Sequence, residues 1–324
     1  MTSTLHCEQK FNSANSALIV NNQFNNQTEL TEEAIKRAGE GLEFARDRTS
    51  NQMIQQTLLS QEALLEGGTE RKISGYIRRM VMRIIINTLF CVKVENSERI
   101  PNIPVLIAVN HLNHIDPFLL LSELPAKPYF HILGDARTLY NNNWKRILLR
   151  FAKGVIPLER MWKEEIAVVE AAKAGCEDLG ELAADIEKYV PKGNSIESMR
   201  RLDRIVQGIF NRGDSVLLFP EGKLGAVEGQ VLPLKRGAAI YALRSGVPIL
   251  PIALVGTKDL FFRKELIVRI GEPLVFPKCN RIKAEQIQAV IDELQVAIQN
   301  LLPMDYSEPV GKKPLRNFLN HLFW

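Results

Sequence analysis

The apolar residues of this 324-residue chain are gathered into short runs, and that shortness constrains the fold more than any other feature. The longest, such as Val105–Val109 and Val247–Val255, have the length of β-strands. None approaches the roughly 18 consecutive apolar residues that a membrane-spanning helix needs. Six segments read as strands: Cys91–Val94, Val105–Val109, Val155–Leu158, Ser215–Phe219, Pro248–Val255 and Leu266–Ile270. Helical patterns lie between and after them, at Pro117–Leu124, Trp162–Tyr189, Ser195–Asn211, Gly237–Arg244 and Ala284–Leu301. Strands separated by helices predict an α/β fold with a mostly parallel central sheet flanked by helices. Hydrophobic residues at 46% are enough to fill its core.

The flanks have a different character. Residues 1–28 are rich in Asn, Gln and Ser and predict a disordered tail. A helix is expected over Thr31–Leu65, with Thr31 as cap, Glu32 and Glu33 in the first turn, and Gly67-Gly68 as its stop. Residues 1–70 thus form an N-terminal helical extension, 71–302 the main domain with a helical insert at about 161–193, and 303–324 a C-terminal amphipathic tail.

Lys72–Phe90 predicts an amphipathic helix. Ile73, Ile77, Met80, Val81, Ile84 and Ile85 share a face, and Lys72, Arg78, Arg79 and Arg83 lie elsewhere on the wheel. Such a helix suits a lipid interface, with its apolar face among acyl chains and its arginines on phosphates. It equally suits packing on the domain with solvated arginines. The tail, with Leu315, Phe318, Leu319, Leu322 and Phe323 before Trp324, allows the same two readings.

Charge points to an anionic partner. Residues 1–70 hold 5 Lys/Arg against 10 Asp/Glu, so the formal net charge of +4 leaves a balance of +9 on the rest. A phosphate substrate, a membrane surface or a nucleic acid would fit. The polar start, Met1–Lys10, carries no pattern of a secretion signal. Four cysteines without a CxxC pair fit a reducing compartment and argue against a zinc ribbon.

Four segments carry the chemistry. In Asn110-His111-Leu112-Asn113-His114-Ile115-Asp116-Pro117, a strand ends and a helix begins, the usual location of ligand sites in α/β sheets. His111 suits a general base, and a carboxylate at Asp116 could fix its tautomer. Asp before Pro at a helix start is also an ordinary capping pair. His111, His114 and Asp116 also leave a metal-dependent hydrolase open as an alternative. The second segment, Gly154–Arg160, is a short strand ending in arginine, a side chain suited to bidentate phosphate contacts. In the third, Val216–Lys223, a buried strand runs into Pro220-Glu221-Gly222-Lys223. The fourth, Gly246–Ala253, is an apolar strand with two prolines.

Together, and in this order, these segments resemble the glycerol-phosphate and lysophosphatidate acyltransferase family. Asn-His-x4-Asp-Pro, Gly-x-Ile-x-Leu-x-Arg, Phe-Pro-Glu-Gly and Val-Pro-Ile-x-Pro-Ile match its four motifs across roughly residues 75–275. The resemblance implies that His111 deprotonates an acceptor hydroxyl, that Asp116 orients His111, and that Arg160, Glu221 and Gly222 hold the acceptor. It implies acyl transfer from acyl-ACP or acyl-CoA to lysophosphatidate, with glycerol-3-phosphate or another lysophospholipid as alternative acceptor. No cofactor, resident metal or nucleic acid is implied, and the enzyme is expected at the cytoplasmic face of the membrane as a peripheral protein. One departure stands out: the family's third motif usually continues Thr-Arg, whereas this chain reads Lys223-Leu224, which moves the expected phosphate contact to Lys223, Lys235 or Arg236.

Overall fold

The computed structural model describes residues 30–65, 73–139, 146–147, 153–191, 193 and 196–323; the expected disordered tail, Gly67-Gly68 and Trp324 lie outside them. In chain order the helices are α1 (Glu32–Arg46), α2 (Arg48–Leu65), α3 (Gly75–Leu89), α4 (Asp116–Glu123), α5 (Ala136–Leu139), α6 (Lys163–Lys173), α7 (Gly180–Tyr189), α8 (Ile196–Asn211), α9 (Gly237–Ser245), α10 (Ala284–Leu301) and α11 (Arg316–Phe323). The strands are β1 (Cys91–Glu95), β2 (Leu106–Val109), β3 (Phe130–Asp135), β4 (Val155–Leu158), β5 (Ser215–Leu218), β6 (Ile249–Val255) and β7 (Glu265–Ile270).

The seven strands form one sheet in the order β1-β7-β6-β2-β5-β3-β4. β2 pairs in parallel with both β5 and β6, β3 with β5, and β1 with β7. β6 and β7 pair antiparallel, joined by the short connection that such a pair permits. Every residue of β2, β5 and β6 is buried, as expected for parallel strands covered on both faces. The α/β fold expected from the sequence is therefore present, with one strand more than expected. That strand is β3, whose apolar run is interrupted by His131. Its ring is fully buried, with Nε2 3.2 Å from Asp214 Oδ2 and an edge contact to Tyr129.

The chain forms two compact units, Met1–Ser60 with Asp135–Ile147 and Pro157–Arg201, and Gln61–Gly134 with Leu148–Ile156 and Leu202–Trp324. In the first unit the N-terminal extension and the insert share a core. Leu30, Ala38, Leu42 and Ala45 pack with Val168, Val169, Ala171, Leu179, Ala183 and Ile186. The expected long helices are each divided. Asp47 is extended between α1 and α2, and Gly175, at φ +98°, separates α6 from a 3-10 turn and α7. Thr31 caps α1 through Oγ1, which accepts from Ala34 N at 3.1 Å. Glu165 is fully buried and is held by Arg137, whose guanidinium also lies 4.1 Å from the Trp162 ring centroid.

In the second unit the arginines of α3 do not face out as a set. Arg78 is 1% exposed, donates to Phe130 O at 3.1 Å, and lies 3.9 Å from the Tyr129 ring centroid. Burial pulls its guanidinium below the ordinary value, partly offset by Tyr129 and Asp214. Arg79 donates to the carbonyls of Ser122 and Glu123 in α4. Arg83 is exposed, and so are Tyr76, Ile77, Met80, Ile84 and Ile85. The helix presents its apolar side outward because its inner side is spent on Arg78, Met82 and Ile86. The tail is docked: Leu319 is fully buried, and Asn320 accepts from Leu260 N and donates to Leu260 O.

The α1 glycines give a test of the first unit. A Cβ at Gly41 would collide with Glu165 and meet Arg137 Nη1 at 3.1 Å, whereas one at Gly39 meets nothing within 4 Å. Gly39→Ala should stabilise the protein by about 0.5–1 kcal/mol through helix propensity. Gly41→Ala should destabilise it by about 1–3 kcal/mol through overpacking. Urea denaturation of the two variants reads the opposite signs.

Candidate active site

The site grows from the C-terminal end of β2. The main chain leaves the sheet at Asn110, and the Asn110 side chain takes over the pairing with β6. Its Nδ2 donates to Leu254 O at 3.0 Å and its Oδ1 accepts from Leu254 N at 2.7 Å. The next residue can then turn out of the sheet plane, and that residue is His111.

His111 is gripped at four points. Its Nδ1–H donates to Asp116 Oδ2 at 2.8 Å. Its ring stacks on Phe219, with centroids 4.0 Å apart and planes 19° apart. Its backbone N–H donates to Glu221 Oε1 at 2.9 Å, and its carbonyl accepts from Gly225 N at 2.6 Å. The side chain stays 15% exposed. Among the described residues nothing bonds its Nε2, so the remaining lone pair is available as an acceptor.

Asp116 resolves the choice between cap and orienting carboxylate. It is the first residue of α4, yet its carboxylate makes no N-terminal cap bond to that helix. Oδ2 instead turns back and accepts from Leu112 N at 2.8 Å and Asn113 N at 2.9 Å, besides His111 Nδ1. Three donors converge on one fully buried oxygen. Such a carboxylate holds the imidazole in one tautomer and leaves Nε2 to act as base.

The exit of β5 supplies the second loop. Gly222 adopts φ +67°, a conformation that favours glycine, and closes a turn with Phe219 O at 3.1 Å. Glu221 is 1% exposed, and its Oε2 accepts from Leu232 N at 3.0 Å. Both its oxygens are therefore committed to backbone amides. Burial pushes its carboxyl above the ordinary value, opposed by those amide bonds. Lys223 follows on the exposed surface, as do Lys235 and Arg236.

The structure thus brings His111, Asp116, Glu221, Gly222 and Lys223 to neighbouring strand ends of the second unit. Arg160 belongs to the first, where its Nε donates to Asp135 Oδ2 at 3.0 Å and its carbonyl accepts from Arg137. His114 lies edge-on to His111 with centroids 6.2 Å apart. Among the described residues no three His, Cys, Asp or Glu side chains gather as a ligand set. The bonds of Asn110 and the stacking of Phe219 went unassigned in the sequence, although both residues lie inside its motifs.

Two substitutions separate the duties of Asp116. Asp116→Ala leaves two buried amides unpaired, each costing about 1–3 kcal/mol, so it should lower stability in urea by about 2–6 kcal/mol. Asp116→Asn can keep one oxygen for those two amides and for Nδ1, but it removes the negative charge that the ring faces. In ¹⁵N spectra of labelled histidine, the wild type should have its proton on Nδ1 of His111, and the Asn variant should hold that preference more weakly while keeping most of the stability that the Ala variant loses.

The chain is 24% identical over 189 residues to the 1-acyl-sn-glycerol-3-phosphate acyltransferase BAT2, chloroplastic, of Brassica napus, covering 58% of this chain and 44% of that one. It is 33% identical over 75 residues to the 1-acyl-sn-glycerol-3-phosphate acyltransferase of Limnanthes alba, covering 23% and 26%. The chain therefore spans less than half the length of these relatives. The solved structure of the 1-acyl-sn-glycerophosphate (LPA) acyltransferase PlsC from Thermotoga maritima aligns over 94% of this chain and 98% of that one, at 17% identity and a TM-score of 0.45. The family model named Acyltransferase matches residues 91–255, a span that takes in all four motifs and just over half of the chain. On that match, this chain belongs to the acyltransferase family.

Proposed function

We propose that the protein moves a fatty acyl group from a thioester, acyl-ACP or acyl-CoA, to the sn-2 hydroxyl of 1-acyl-glycerol-3-phosphate, giving phosphatidate for phospholipid synthesis. The observation that carries this reading is the His111–Asp116 pair, 2.8 Å apart, with Nε2 of the ring left as acceptor. His111 Nε2 takes the proton of the acceptor hydroxyl as that oxygen attacks the thioester carbonyl carbon. The tetrahedral intermediate collapses with cleavage of the C–S bond, and the imidazolium returns the proton to the departing thiolate. The products are an ester and a free thiol. An imidazole base and a thiolate leaving group suffice for this balance, so the reaction calls for no cofactor and no covalent acyl-enzyme.

Glu221 is assigned a positioning role, because both its oxygens hold backbone amides of the two catalytic loops. Gly222 and Lys223 border the acceptor. A phosphate-bearing acceptor is supported by the basic balance of residues 71–324 and by the names of the relatives above. His111→Ala should lower acyl transfer by at least about 10²-fold, the scale of losing a general base. An acceptor panel of lysophosphatidate, glycerol-3-phosphate, other lysophospholipids and monoacylglycerol tests the substrate. Lysophosphatidate should give the highest kcat/KM; equal use of monoacylglycerol would remove the phosphate from the proposal.

Attachment is proposed to be peripheral, at the cytoplasmic face of the membrane. Among the described residues no helix is long and apolar enough to cross a membrane. The outward side of α3, with Ile77 48%, Met80 57% and Ile84 61% exposed, is the contact, seated in the acyl boundary. Replacing these three by Ser should weaken sedimentation with anionic vesicles by more than about tenfold, given roughly 1.5–3 kcal/mol per buried apolar side chain. Arg83→Gln, worth about 1 kcal/mol near an anionic surface, should change it much less.

A further inference from the structure

β6, β2 and β5 are adjacent and parallel, so their C-terminal ends share one edge of the sheet. In spatial order they deliver Gly256-Thr257-Lys258, Asn110-His111 and Pro220-Glu221-Gly222-Lys223. The base sits in the middle, and the β5 side carries the loop already described. The β6 side carries a lysine that no motif includes.

We infer that Lys258 is the cation that holds the acceptor's phosphate in this chain, a specificity-determining residue for phosphate-bearing acceptors. The inference rests on the phosphate-bearing acceptor proposed above. Lys258 Nζ donates to Gly225 O at 3.0 Å, and N–H of that same glycine donates to His111 O at 2.6 Å. The ammonium is therefore fixed one residue away from the residue that carries the base. Its own backbone is fixed as well, since Lys258 N donates to Glu228 Oε1 at 2.9 Å. Gly256, at φ +88°, sets the turn by which the chain leaves β6.

Charge bookkeeping separates Lys258 from its neighbours. Lys264 is held by both oxygens of Glu308, and Lys313 and Arg316 by Asp259. Those cations are neutralised where they stand. The Lys258 ammonium has no carboxylate partner among the described residues, and its one bond there, to a carbonyl, uses one of three N–H donors. Thr257, fully buried at the same strand exit, has a hydroxyl with no hydrogen-bond partner among the described residues. Lys223 has a comparable charge but stands exposed, with no bond holding its side chain among the described residues. In lysophosphatidate the reacting hydroxyl and the phosphate are separated by two carbons and one oxygen, so the phosphate must bind beside the base. A tethered, partly buried ammonium with spare donors meets that need better than a solvated one.

The variants Lys258→Gln, Lys258→Arg and Lys223→Gln decide it, with kcat and KM measured on lysophosphatidate and on monoacylglycerol. Gln keeps a donor for Gly225 O and loses the charge. Lys258→Gln should raise KM for lysophosphatidate about tenfold to a hundredfold, the scale of a charge-assisted contact. It should erase most of the preference over monoacylglycerol, and Lys258→Arg should restore much of it. In the wild-type protein, lysophosphatidate should also slow amine labelling of Lys258, read by mass spectrometry, so a variant that fails to fold does not block the test. An unchanged preference in Lys258→Gln, absence of protection, or equal loss on both acceptors that Arg does not rescue would each overturn the inference. If the wild type acylates no phosphate-bearing acceptor, the proposed function falls first, and no variant is needed to see it.

Discussion

The structure depends on the grip on the His111 backbone. Glu221 takes its N–H, Gly225 donates to its carbonyl, and the ring is left to Asp116 and Phe219. A histidine held only by its ring would swing with its loop. Here the loops after β2 and β5 are joined at His111 itself, and the strands behind them are paired from Leu106↔Val216 to Ala108↔Leu218. The imidazole thus inherits the rigidity of the central sheet, which is what a site needs to hold its geometry. The hold requires a buried carboxylate, whose desolvation is partly offset by two amide bonds.

Much of this was legible in the chain. Six of the seven strands were legible as short apolar runs, most plainly β2, β5 and β6, whose residues are all buried. β3 did not, because His131 occupies a core position that its pairing with Asp214 and contact with Tyr129 make acceptable. The motif residues around His111 were legible as types and spacings, but the spacing of His111 and Asp116 could not choose between a cap and an orienting carboxylate. The choice is made by where the turn through Leu112 and Asn113 points its amides. Nor could the chain announce the role of Asn110, whose partner Leu254 lies 144 residues away and is adjacent only once β2 and β6 pair.

The same limit explains the extension and the insert. Each carries an apolar stripe with no visible use when read alone. α1 supplies Ala38, Leu42 and Ala45, and α6 and α7 supply Val168, Ala171, Ala183 and Ile186, so each stripe is the other's core. Helices this short are marginal in isolation and take their stability from such packing. Glycines in α1 serve the same end: Gly41 is small because the Arg137–Glu165 pair passes against it.

Counting charges proved a weaker guide than asking what each charge touches. The basic balance pointed to an anionic partner, and the arginines of α3 were open to lipid phosphates or to solvent. Arg78 instead spends its guanidinium on a carbonyl and an aromatic face inside the domain, and Arg79 holds the end of α4. Arg269 is paired with Glu95, Lys264 with Glu308, and Lys313 and Arg316 with Asp259. Cations consumed in this way add little to the field beyond a few ångströms, where salt screens what remains. Anion recognition in such a protein is local: it belongs to the few cations that the fold fixes in position and leaves unpaired. The inward turn of Arg78 and Arg79 leaves the apolar side of α3, with Ile77, Met80 and Ile84, facing out.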